Sequence, residues 1–110
     1  MTEENAKITG TFLGEEDHGI FTCQLFFNGK GWGCAFGGYA LDEYNQDKKR
    51  RVGTAYGMEF MKAILRTLKV PEWEKLTGTY CRIRSEGWGG GITEIGHLIE
   101  DIWFNPKDLL

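Results

Sequence analysis

The stretch Ile20-Phe21-Thr22-Cys23-Gln24-Leu25-Phe26-Phe27-Asn28-Gly29-Lys30-Gly31-Trp32-Gly33-Cys34-Ala35-Phe36 decides the fold. Its aromatic and β-branched residues read as strand. The Asn28-Gly29 pair is a strong hairpin signal, because a type I′ turn needs positive φ at both central positions. The spacing predicts one strand over Ile20–Phe27 and another from Lys30 to about Leu41. In that register Phe27 faces Lys30, Leu25 faces Trp32, Cys23 faces Cys34 and Phe21 faces Phe36. This face is the more apolar one and is expected to be the core face. On the other face, Gly31, Gly33, Ala35 and Gly37 leave one side of the third strand almost without side chains. Such a face invites a helix, a second subunit or a ligand to lie close. Cys23 and Cys34 would sit opposite each other at a spacing that permits a bridge.

Working outward, Lys7–Leu13 reads as a first strand by its alternation, joined through the polar turn Gly14-Glu15-Glu16-Asp17-His18-Gly19. Asp42–Arg51 is the longest polar stretch and reads as a mobile loop with a basic end, Lys48-Lys49-Arg50-Arg51. Thr54–Val70 is the one clear helix. Tyr56, Phe60, Met61, Ile64, Leu65 and Leu68 form its apolar stripe, Thr54 is its N-cap, and Pro71 stops it. A fourth strand follows over Thr79–Ser85, with Cys81 and Ile83 inward and Arg82 and Arg84 outward. A long fifth strand is expected over Gly91–Ile102, after which Trp103 and Phe104 pack back on the body. The order β-β-β-α-β-β gives an α+β fold: one domain over residues 1–110, with an antiparallel sheet of about five strands covered by one main helix.

The composition limits the function. The chain has 110 residues, enough for a single core, and its 41% hydrophobic and 26% charged residues are a globular balance. No apolar run approaches the ~20 residues that span a bilayer. The acidic N-terminus lacks the basic and apolar regions of a secretory signal, which points to the cytoplasm. A net charge of −3 argues against a dedicated duplex-DNA binder. Three cysteines without CxxC spacing form neither a disulfide framework nor a zinc site and read as buried reduced thiols.

No set of residues matches a catalytic signature: there is no nucleophile elbow and no P-loop. Glu15-Glu16-Asp17-His18 reads as a solvated turn, and His97 as a hydrogen-bonded core histidine. No cofactor and no metal are expected. The expected ligand site uses Arg82 and Arg84, two guanidiniums on one strand face, to hold phosphate. Trp88 or Tyr39 would stack a base, with the Gly-flanked Trp32 beside them. Arg50 and Arg51 would form an electrostatic arm over the same ligand, and Asp42 and Tyr44 join Tyr39 as pocket candidates.

Several segments together carry a resemblance: Ile8-Thr9-Gly10-Thr11-Phe12-Leu13-Gly14, Glu16-Asp17-His18-Gly19-Ile20, Phe36-Gly37-Gly38-Tyr39-Ala40-Leu41-Asp42, Gly53-Thr54-Ala55-Tyr56-Gly57-Met58-Glu59-Phe60 and Ile95-Gly96-His97-Leu98-Ile99-Glu100-Asp101-Ile102-Trp103-Phe104. They are similar to a family of small accessory proteins found in bacteriophage and prophage genomes. The resemblance implies action in a bacterial host cytoplasm against host immunity, and it brings no catalytic residues with it. The resulting expectation is a non-enzymatic, homo-oligomeric counter-defence protein. It would sequester a phosphate-containing small molecule such as a nucleotide immune signal. The alternative is a protein–protein inhibitor that blocks a host defence enzyme or complex through an acidic surface, with Glu15-Glu16-Asp17 at its centre.

Overall fold

The computed structural model describes residues 2–29, 32–86 and 91–110. Among these residues, eight strands and one α-helix follow in chain order. They are β1 (Thr2–Glu15), β2 (Phe21–Gly29), β3 (Trp32–Gly37), β4 (Asp42–Asn45), β5 (Arg50–Gly53), α1 (Ala55–Leu68), β6 (Tyr80–Ser85), β7 (Ile92–His97) and β8 (Trp103–Phe104). Short 3₁₀ turns lie at Asp17–Gly19, Trp73–Lys75 and Pro106–Leu109. Six strands form one antiparallel sheet in the order β3-β2-β1-β6-β7-β8, while β4 and β5 make a separate hairpin. This is an α+β fold. No described helix is long and apolar enough to cross a membrane.

The backbone of the sheet is β1, which is longer than the sequence predicts and serves two partners. Its first half pairs with β6 from Thr2↔Ser85 to Lys7↔Tyr80. Its second half pairs with β2 from Lys7↔Asn28 to Glu15↔Phe21, with a bulge between Ile8 and Gly10. The sheet curls far enough to bring β3 toward β7. The core fills the concave side, where Phe60 of α1 stacks on Phe36 at 6.0 Å and meets Phe104 edge-on at 5.1 Å. Ile8, Leu25, Ile64, Leu76 and Ile95 are fully buried around them.

The helix forms where its pattern places it. The Thr54 hydroxyl accepts the Gly57 N–H at 2.9 Å as N-cap, and Phe60, Ile64 and Leu68 are buried. The β2–β3 register differs from expectation. Asn28 and Gly29 are ladder residues opposite Gly33 and Trp32, and Leu25 faces Phe36, a slip of four residues from Trp32. Because the slip is even, each side chain keeps its face. Cys34 faces Phe27 and is exposed, so the expected Cys23–Cys34 opposition and the burial of Cys34 are both corrected. Core packing has outweighed a local turn preference, since only this register sets Phe36 against Phe60 and Phe104.

Two further expectations are corrected. The stretch read as a loop over Asp42–Arg51 forms most of the β4–β5 hairpin, which closes at Gly53. The long fifth strand ends at His97, whose Nδ1 accepts the backbone N–H groups of Ile99 (3.2 Å) and Glu100 (3.0 Å). That imidazole folds the chain back, so Phe104 pairs with Ile95 and Trp103 with Gly96. The expected sheet of about five strands gains β8 at its edge as a sixth, and β4 and β5 pair apart from it.

Candidate functional site

Alternation along β6 sends Arg82 and Arg84 to the convex face of the sheet, as expected, and there other residues meet them. The Arg82 guanidinium donates to the carbonyls of His97 and Glu100, each at 2.8 Å, and reaches a Glu3 carboxylate oxygen at 3.4 Å. Arg84 donates to Glu3 at 3.2 Å and to Glu94 at 3.0 Å. Both stack on the indole of Trp103, at 4.7 and 3.6 Å from the ring centre. Five of their ten N–H donors are committed inside the protein, and only 19% and 28% of the side chains remain exposed. The two arginines act here as a clamp that ties β1, β6, β7 and the turn before β8 together.

Arg51 is similarly engaged. Its guanidinium donates to the Asp42 carboxylate at 2.8 Å and to the Asp42 carbonyl at 3.1 Å, which closes the β4–β5 hairpin. Asp42 also accepts the Phe21 N–H, and its hydrogen bond from Arg51 holds its carboxyl below the usual carboxylate range. Arg50 is exposed on the neighbouring position. Trp88 and the side chain of Trp32 lie outside the described residues.

Tyr39 does line a cavity. The chain after β3 is held by Gly38 N–H and Leu41 N–H donating to the carbonyls of Cys23 and Phe21, each at 2.9 Å. The buried hydroxyl of Thr22 donates to the Tyr39 carbonyl at 2.6 Å. The start of α1 is fixed to the same segment, because the Thr54 hydroxyl donates to Leu41 O at 2.9 Å. Gly57 lets the helix touch that carbonyl, where a Cβ would collide with it. As a result the rings of Tyr39 and Tyr56 both lie against Phe60, at 5.5 and 6.0 Å from its ring centre. Burial and the neighbouring Tyr39 push the Tyr56 hydroxyl above its ordinary range.

The opposite wall comes from β7 and the C-terminal turn. Asn105 caps that turn by accepting the Lys107 N–H at 3.0 Å, and Pro106 is buried at its first position. The Asn105 amide donates to one Glu94 oxygen at 3.3 Å, while the other Glu94 oxygen takes Arg84. Glu94 thus links the arginine clamp to the cavity. The cleft measures about 380 Å³ and is lined by Tyr39, Tyr56, Glu86, Thr93, Glu94, Asn105, Pro106, Lys107 and Leu110. Its size lies within the range of small-molecule sites, and its apolar walls with a few polar groups are typical of them. Among the described residues, no three His, Cys, Asp or Glu side chains converge as a metal site would need.

Sequence reasoning found Tyr39 in this cleft and missed the rest. Tyr56 carried only a core signal, and Glu94, Asn105 and Lys107 come together through the β7–β8 return, which no local pattern announces. Asp42 and Tyr44 do not join Tyr39 in the lining. Compared with known proteins, the chain matches no family model, no curated protein and no solved structure.

Proposed function

We propose that the protein is a non-enzymatic binder of a small planar molecule carrying phosphate, a nucleotide in chemical class, held in the Tyr39–Tyr56 cleft. The observation that carries this reading is the pairing of two tyrosine rings with convergent polar groups in one cavity of ligand size. A base stacks on the tyrosines, and the Glu86 and Glu94 carboxylates accept from its amino edge. The exposed ammonium of Lys107 meets a phosphate at the mouth. This moves the phosphate contact from Arg82 and Arg84 to Lys107, since the arginines are spent on the clamp. In the phage setting that the sequence resemblance implies, the ligand would be a nucleotide immune signal of the host, and capture without turnover would remove it.

The test is a thermal shift of the purified protein against linear and cyclic nucleotides and the parent nucleosides. A ligand at ~100 times its Kd adds about 2.7 kcal/mol, several degrees for a domain of this size. Tyr39→Ala should abolish the shift, and Lys107→Glu should abolish the preference for nucleotide over nucleoside. A flat panel overturns the reading.

One observation favours a second reading. Glu15, Glu16 and Asp17 are exposed at the β1–β2 tip and make no ion pair among the described residues. They would suit an inhibitor of a host protein with a basic surface. Charge reversal at the tip should then release a stoichiometric host partner.

A further inference from the structure

The C-terminal half of α1 ends in a motif that builds a second surface, unrelated to the tyrosine cleft. Lys69 takes the left-handed conformation, with φ at 55°, and the Val70 N–H donates back to the Leu65 carbonyl at 3.0 Å. This is the Schellman closure, in which the residue after the left-handed position packs against the one at the start of the last turn. Here that brings Val70 against Leu65, and Pro71 extends the apolar strip. The result is an open groove of about 610 Å³ with an aliphatic floor of Leu65, Val70 and Pro71.

The rim of the groove is cationic. Lys62 and Arg66 stand one turn apart on α1, both exposed, and neither has an ion-pair partner among the described residues. Lys69 completes the rim and pairs with Glu100 at 2.6 Å. This concentration of positive charge runs against the chain's net charge of −3. The helix dipole accounts for cations in the last turn but reaches less far toward Lys62, and it has no bearing on a partly exposed aliphatic floor beside them.

We propose that this groove docks an acidic amphipathic segment of a partner protein, with aliphatic side chains on Leu65, Val70 and Pro71 and carboxylates on Lys62 and Arg66. Charge complementarity sets the sign of the partner, and the floor sets its class. A nucleic-acid strand would find cations for its phosphates but no aromatic face on which to stack its bases. An acidic peptide satisfies both parts of the groove, as amphipathic segments do when they lie in apolar grooves.

The test uses fluorescence anisotropy of a labelled amphipathic peptide with a leucine face and a glutamate face. Its companion probes are the same peptide with lysine for glutamate and an oligothymidylate. The wild-type protein should bind the glutamate peptide, more weakly as salt rises, and should not bind the lysine peptide. The double variant K62E/R66E should lose at least about tenfold in affinity, while K48E/K49E, altered in the β4–β5 turn, should retain it. All substituted positions are exposed, so the melting temperature serves as the folding control. Absence of peptide binding, equal loss in both double variants, or tighter binding of the oligothymidylate at Lys62 and Arg66 would each overturn the proposal.

Discussion

The convex face of the six-stranded sheet is built in two ways. Over β6, β7 and β8 it is interlocked: Arg82 and Arg84 lie on Trp103, Glu3 and Glu94 hold the guanidiniums, and Gly96 leaves room for the indole. Over β2, β3 and the second half of β1 it is bare: Phe12 and Phe26 are 37% and 38% exposed, with Gly10, Gly33 and Ala35 between and beside them. The difference follows from side-chain length. Long cationic side chains can lie down across neighbouring strands and cover them, whereas glycine and alanine leave the sheet surface open. Charge on a strand face is thus no sign of a ligand site until its donors are counted, and a small-residue face announces room without saying what fills it.

The largest test of this contrast is Trp103→Ala. Removing the plate on which both arginines stack should cost about 3 kcal/mol, toward the lower end for large aromatic truncations because the indole is only partly buried. Chemical denaturation would measure it. Phe12→Ser on the bare half should cost under about 1 kcal/mol, as a surface position does, and a comparable loss at both sites would erase the distinction. Next comes R82A/R84A. If the arginines form a clamp, the double variant should melt clearly below the wild type, given several charged hydrogen bonds in partly exposed positions. A phosphate site on the same residues predicts an unchanged melting temperature.

The smallest effect is the pH response of the β4–β5 closure. Asp42 titrates below its unfolded value because Arg51 donates to it. Its contribution is therefore fully present above the ordinary carboxylate pKa and is lost as the pH falls through the lower folded value. Melting curves across the acid range should show this slope in the wild type and a weaker one in Asp42→Asn. An unchanged slope would remove Asp42 from the account.

The sequence was most informative where local and global demands agree. The helix, its Thr54 cap and its buried stripe were legible because periodicity and capping point the same way. So was the face on which each β2 and β3 side chain lies, since alternation has a period of two. The register was not legible, because two registers four residues apart share that alternation and only the contact of Phe36 with Phe60 and Phe104 separates them. The end of β7 was hidden for a related reason. Ile95, His97 and Ile99 continue the strand pattern, and a side-chain acceptor on His97 interrupts it. Tyr39 stood out as a pocket candidate by its place after a glycine-rich strand, and it lines the cleft. Lys107 did not, because its place in that lining depends on a chain reversal made by residues ten positions earlier.

The divided pairing of β1 has a consequence for how the protein is made. Its second half finds β2 within one hairpin, but its first half must wait for β6, which begins at Tyr80. During synthesis the first half of β1 emerges before the other described strands and is among the last to gain its neighbour. Until then Thr2–Ala6 presents open backbone donors and acceptors, and contacts of such long sequence separation slow folding. The interval between the emergence of residue 2 and that of residue 85 is when this chain is most exposed to pairing with the wrong strand.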